Sequence, residues 1–162
     1  MTDWLYKGTE FTSEMIGDNY GFVYIITNEV TGRRYIGRKY FWTVRKLPPL
    51  KGKKRKRVQR KESDWKEYYG SSDILKADIE QYGKENFRRE IVSLHPNKQE
   101  TNYHEMKLQF MLDVLNSYDD EGNPRYYNAN INNKFYPSEK WRDHRAIVHE
   151  HYKELARKLL IE

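Results

Sequence analysis

The sequence predicts an α+β fold, a small three-stranded antiparallel sheet flanked by helices, with a basic insertion and a C-terminal helix. Three observations predict it. Residues 21–28 (Gly-Phe-Val-Tyr-Ile-Ile-Thr-Asn) are a run of β-branched and aromatic residues, and residues 87–94 alternate apolar with charged. Between and beyond these runs lie stretches with helical spacing, so strands and helices mix in one chain. With 162 residues, 37% of them hydrophobic and a third charged, the chain makes one domain with a modest core.

Each element follows in order. Residues 1–20 show no strong pattern. The run at 21–28 reads as a largely buried strand, Glu29-Val30-Thr31-Gly32 as a turn, and Arg33 to Arg38 as a second strand, which makes a β-hairpin. Leu47-Pro48-Pro49-Leu50 then breaks regular structure, because each proline removes a backbone donor and restrains its predecessor. Lys51 to Lys61 carries eight Lys or Arg in eleven residues, a self-repelling block expected to be poorly ordered alone. Ser71 or Ser72 caps a helix running to about Tyr82, which Gly83 ends. Phe87 to Leu94 is the third strand, and a second helix spans roughly Gln99 to Asn116. Ser138 caps a final helix with the stripe Val148, Tyr152, Leu155 and Leu159. The expected organisation is an N-terminal extension over 1–20, a compact unit over 21–133 interrupted at about 46–64, and a helical extension over 134–162.

The balance of 30 Lys and Arg against 24 Asp and Glu, with pI near 9.3, favours an acidic partner. Nucleic acid ranks ahead of an anionic membrane surface. The absence of cysteine excludes disulfides, thiolate catalysis and Cys-based zinc sites. No secretory signal and no run of about 18 apolar residues is visible, so a soluble cytoplasmic protein is expected. His144, His149 and His151 lack a zinc-like spacing, and their helix either packs on the core or mediates a dimer through its apolar stripe.

Two tyrosines carry the first chemical signal. Tyr24 and Tyr35 fall on neighbouring strands of the hairpin, where their hydroxyls can meet on one face. A tyrosine with its usual pKa near 10 is a poor base at neutral pH unless cations favour the phenolate. Arg38, Lys39 and Arg45 follow closely enough to supply them. A tyrosine pair on adjacent strands is more often structural. The second signal is Glu105, which shares a helical face with Leu108, Leu112 and Leu115. A carboxylate in line with an apolar stripe costs free energy unless it is paired or holds a cation; Glu100 is its nearest rival.

Phe22-Val23-Tyr24 and Tyr35-Ile36-Gly37, in this order and separation, resemble the two motifs of the GIY-YIG nuclease family. Arg45 stands eight residues after the second motif's glycine, where that family carries an arginine, with Lys39 as substitute. Tyr69-Gly70-Ser71-Ser72 and Tyr82-Gly83-Lys84-Glu85-Asn86-Phe87 look like the segment joining helix to third strand in phage members, and the resemblance covers roughly residues 20–132. Phe22 replaces the family's small glycine unless Gly21 takes that part, and Pro49 stands where a polar residue often follows the arginine. The resemblance implies a metal-dependent endonuclease acting on DNA, double-stranded by expectation. Its catalytic residues would be Tyr24, Tyr35, Arg45, Glu105 and Asn128, with Asn130, Asn132 and Asn133 as alternatives to the last. Glu105 would hold Mg²⁺ or Mn²⁺. Lys39, Lys51, Lys53, Lys54, Arg55, Lys56, Arg57, Arg60 and Lys61 would contact phosphates. A nuclease fold that only binds or regulates DNA, and a nuclease acting on RNA, are the alternatives.

Overall fold

Residue type decides the central strand. In a computed structural model that describes residues 3–161, strand β3 (Gly21–Asn28) is buried along almost its whole length. Its alternate residues feed two separate cores. Phe22, Tyr24 and Ile26 join an aromatic cluster with Trp4, Phe11, Phe41, Trp65 and Phe87. Val23 and Ile25 face an aliphatic cluster with Ile36, Val114, Leu115 and Ile131. The period of two along a strand forces this division.

The chain order is β1 (Trp4–Tyr6), β2 (Thr9–Glu10), β3, β4 (Arg34–Tyr40), β5 (Trp42–Leu47), β6 (Arg57–Glu62), α1 (Asp73–Tyr82), β7 (Phe87–His95), α2 (Lys98–Met111) and α3 (Arg142–Ile161). The α+β expectation holds, but the sheet is not three-stranded. It has five strands in the order β2-β1-β7-β3-β4, and it is mixed, because β1 runs parallel to β7. Local pattern in residues 1–20 was too short to reveal strands of three and two residues; long-range pairing with β7 creates them. Trp4 supplies the packing: it is 2% exposed, lies edge-on to Phe22 and Tyr24, and donates Nε1 to the Trp65 carbonyl at 2.7 Å.

The basic segment is also ordered. Strands β5 and β6 form a separate two-stranded ribbon that pairs with no other strand. Helix α1 is capped by Ser72, which accepts the Leu75 N–H at 3.2 Å, and ends at Gly83, whose φ of 88° suits glycine. Helix α2 stops at Met111, earlier than the spacing predicts, and its buried stripe is polar: Thr101, Glu105 and Gln109. The first half of α3 leans on the body: Asn116 Nδ2 donates to the Arg142 carbonyl at 3.1 Å and the Arg142 guanidinium lies over the Tyr118 ring at 3.9 Å. Val148 is half-buried, while Tyr152, Leu155 and Leu159 are exposed. Met1, Thr2 and Glu162, at the ends of the two flanking segments, lie outside the described residues. Among the described residues no helix is long and apolar enough to cross a membrane.

Candidate active site

The hairpin register brings the two tyrosines together. Tyr24 on β3 is paired with Gly37 on β4, and Tyr35 with Ile26, so both rings rise from the aromatic face. Their centroids are 6.1 Å apart. The glycine between them is required by this packing: a Cβ on Gly37 would lie 2.5 Å from the Tyr24 hydroxyl and 2.9 Å from the Tyr35 ring. A bulge in β7 beside Val23 and Tyr24 shifts the register there, a local device that re-aims side chains. Tyr35 is held from the other side by Gly70, and its hydroxyl lies 3.2 Å from Ser71 Oγ.

From the opposite sheet face comes the charged pair. Arg38 is paired with Val23 and so leaves β4 toward α2, where its Nη1 donates to Glu105 Oε1 at 2.8 Å. Its Nε donates to the Tyr40 hydroxyl at 3.1 Å, and Tyr40 donates to Asn102 Oδ1 at 2.5 Å. Tyr24, Tyr35, Arg38 and Glu105 line one cleft of about 560 Å³, together with Lys39, Tyr68, Ser71 and Lys98. A second lobe shares Tyr35, Arg38, Ser71 and Glu105 and continues to Gln109, Asn128 and Asn132.

Electrostatics sort these groups. Burial pushes the Tyr24 phenol well above its usual value, and the neighbouring Tyr35, Tyr68 and Glu105 add to the rise. Tyr35 is raised as well, chiefly by burial against the opposing hydrogen bond from Ser71. Burial also raises Glu105, and Arg38 pulls it back down. Burial opposes the charge on Arg38, but Glu105 and Tyr40 outweigh it and leave this guanidinium more firmly protonated.

Arg45 is not in this cleft. It lies exposed on β5 opposite Gln59, out along the two-stranded ribbon. The guanidinium that lines both lobes is that of Arg38. Lys39 also lines the first lobe, but its ammonium is committed to Asp64 at 2.7 Å and to the Tyr68 ring at 4.1 Å. Strand alternation was the available signal for Arg38, since it must point away from the face occupied by Gly37 and Tyr24. Tyr68 and Gln109 had no sequence signal of their own and arrive through tertiary packing, while Ser71, a cap candidate in the sequence, leaves the cap to Ser72 and lines the cleft.

Asn128 sits on the outer edge of β4. Its Oδ1 accepts the Ile36 N–H at 3.1 Å and its Nδ2 donates to the Ile36 carbonyl at 2.8 Å, with Gln109 Nε2 sharing that carbonyl at 3.1 Å. An amide alone among side chains offers both a donor and an acceptor in this way, so it completes the edge strand midway between Tyr35 and Gly37. Asn132 and Asn133 lie in an exposed turn with φ of 55° and 51°, and Asn130 Oδ1 accepts the Asn133 N–H at 2.9 Å. Glu100 contacts His104 at 3.5 Å and does not line the cleft. Phe22 is fully buried in the aromatic cluster, whereas a Cβ at Gly21 would strike Thr101 of α2 at 2.8 Å, so Gly21 is where helix and strand approach closely.

A family model described as putative endonuclease segE, GIY-YIG domain, matches residues 4–131. The chain belongs to the GIY-YIG family. The match begins at β1, so it takes in the strand that sequence pattern did not reveal. No curated protein and no solved structure matches the chain. Membership in the GIY-YIG family suggests a nuclease with nucleic acid as substrate. Among the described residues no group of three or more His, Cys, Asp or Glu side chains could hold a metal ion. Glu105 is the carboxylate that lines both lobes; a divalent cation such as Mg²⁺ keeps much of its water shell and takes only one or two protein carboxylates, so this residue could hold one. Glu105, 9% exposed and raised by burial, is a carboxylate that an added cation would stabilise.

Proposed function

We propose that the protein is a divalent-metal-dependent endonuclease that hydrolyses DNA phosphodiester bonds in the cleft between β4 and α2. One observation carries this reading: Tyr24, Tyr35, Arg38 and Glu105 reach a common cleft from opposite faces of the sheet.

The chain's own residues divide the work. As the phenolate, Tyr24, fixed over Gly37, takes a proton from a water whose oxygen attacks phosphorus; the P–O bond to the leaving sugar oxygen breaks, and that oxygen takes a proton from solvent. Tyr35, braced by Ser71, holds the geometry of that water from the side. Arg38 presents donors to the phosphoryl oxygens, where a guanidinium stabilises the charge that grows in the transition state. Its bond to Tyr40 keeps it in place when the Glu105 carboxylate turns to another cation. Glu105 would hold Mg²⁺ or Mn²⁺, which would neutralise phosphate charge and favour the phenolate. Asn128 is a positioning residue, since its bonds go to the Ile36 backbone.

Incubation of plasmid DNA with Mg²⁺ tests the proposal, wild type beside Glu105→Ala. Nicking or linearisation by wild type alone supports it; equal products from both proteins sink the assignment. A second reading has support in the raised Tyr24 phenol: a nuclease fold that binds DNA without turnover. Salt-sensitive DNA binding with no cleavage under any divalent cation favours that reading.

A further inference from the structure

The protein's basicity resides in one structure. Residues 42–61 contain ten Lys and Arg and no Asp or Glu. Removing those ten leaves 20 Lys and Arg against 24 Asp and Glu, so the rest of the chain has a net charge of −4. Among the described residues none of the ten forms an ion pair. The single carboxylate of the ribbon, Glu62, is turned into its root, where it accepts Ser13 Oγ at 2.6 Å and Trp65 Nε1 at 2.7 Å.

The register divides these charges between two faces. Lys46 and Arg60 share one face with Val44 and Val58, while Arg45, Arg57 and Lys61 share the other with Thr43 and Gln59. Both faces are solvent-exposed. A strand pair lying flat on a nucleic acid needs cations on one side only. Cations on both sides of an uncovered ribbon call for anionic walls on both sides, and a groove of duplex DNA supplies them. Six residue pairs span about 20 Å at roughly 3.4 Å per residue. The major groove, about 12 Å wide, admits a two-stranded ribbon, whereas the minor groove, about 6 Å wide, does not. The root is attached to the body: Trp42 Nε1 donates to the Asn19 carbonyl at 3.2 Å, and Ser13 Oγ donates to Glu62. Trp42, Thr43 and Val44 also form a wall of the catalytic cleft.

We infer that the β5–β6 ribbon inserts into the major groove of duplex DNA, with one face on each phosphate strand, and so presents a backbone bond of double-stranded substrate to the adjoining cleft. The substrate form rests on the nuclease reading, but the groove contact can be measured without cleavage. The test is binding of a 30-base-pair duplex to the full chain in EDTA, by fluorescence anisotropy over a range of NaCl. Arg45→Gln/Lys61→Gln removes charge from one face and Lys46→Gln/Arg60→Gln from the other, with circular dichroism as the check on folding. Each pair is expected to weaken binding about tenfold and to lower the salt slope by up to about two, since each phosphate contact contributes about 0.9. Methyl green, a major-groove ligand, is expected to compete, and the minor-groove ligand distamycin is not. Wild-type affinity in either double variant overturns the inference, as does displacement by distamycin alone or equal affinity for the single strand. If wild type cuts plasmid while one face is dispensable, the ribbon model falls and the nuclease stands. If both faces count but no nucleic acid is cut with any metal, the nuclease reading falls and the groove contact stands.

Discussion

The cleft and the ribbon place polar groups by opposite means. In the cleft the central polar side chains are tied in series: Glu105 to Arg38, Arg38 to Tyr40, Tyr40 to Asn102, and Asn128 twice to Ile36. On the ribbon the charges extend into solvent with few bonds beyond Arg60 on Trp42 and the Arg57 Nε bond to the Pro48 carbonyl at 3.2 Å. Chemistry at one phosphorus atom tolerates little displacement, so its residues are held from several sides. Attraction to a polyanion depends on sign and number, so its residues are best left hydrated and mobile. The difference teaches where to expect sharp effects and where gradual ones.

The sharpest break should come at Glu105. Glu105→Gln keeps the size of the side chain but removes its charge, and cleavage of plasmid in Mg²⁺ should fall by on the order of a hundredfold or more, with duplex binding retained. Loss of binding in proportion to cleavage would erase the distinction between the two regions. Next, Arg38 and Arg45 should separate. Arg38→Gln is expected to lower the turnover rate at saturating DNA by about a hundredfold, while Arg45→Gln changes it by less than about twofold and raises the DNA concentration needed. The reverse ranking would return the cationic role to the ribbon.

Gly37→Ala probes the close approach directly. The new Cβ must displace the Tyr24 hydroxyl, so we expect about 1–3 kcal/mol of destabilisation in urea unfolding together with a loss of cleavage. Asn128→Asp sharpens the comparison from the edge of the sheet. The carboxylate cannot donate to the Ile36 carbonyl, and stability should fall by roughly 1–3 kcal/mol while the salt dependence of DNA binding is unchanged.

The smallest effect concerns pH. His95 is held below its usual value by burial first and by His104 second; its ring stacks on that of His104 at 4.5 Å and lies 2.7 Å from Ser93 Oγ. The unfolded chain takes up this proton near pH 6.5 but the folded chain takes it up only at lower pH. Stability tied to neutral His95 is therefore present above about pH 6.5 and is lost as the pH falls below it. His95→Gln should flatten the melting temperature between about pH 7 and 5.5; an unchanged profile would place the titration elsewhere.

Much of this architecture was legible because it is local. The run at 21–28 permits only a buried strand, Ser72 and Gly83 mark the ends of α1, and the alternation at 87–94 marks β7. The two tyrosines share a face as soon as the hairpin exists, because register couples Tyr24 to Gly37. The charge of the ribbon was plain as well, though its order was not, since strands β5 and β6 are stabilised by pairing across a turn that contains two prolines.

Tertiary structure decided the rest. Strands β1 and β2 are too short to have a period, and they exist through pairing with β7 and the burial of Trp4. That Arg38 and not Arg45 reaches the cleft follows from residues 42–62 standing out as a ribbon, which spacing along the chain does not encode. Helical periodicity put Glu105 with leucines, yet its stripe is Thr101, Glu105 and Gln109, because Glu105 meets Arg38, Gln109 meets the Ile36 carbonyl, and Thr101 bonds back to the Asn97 carbonyl of its own helix. By itself, then, the sequence determined which residues have the chemistry and which segments the charge, through local spacing and composition. Which of those residues meet across the fold was decided by the docking of α2 beside β4, where Arg38 and Glu105 are 67 residues apart and no local pattern records the contact.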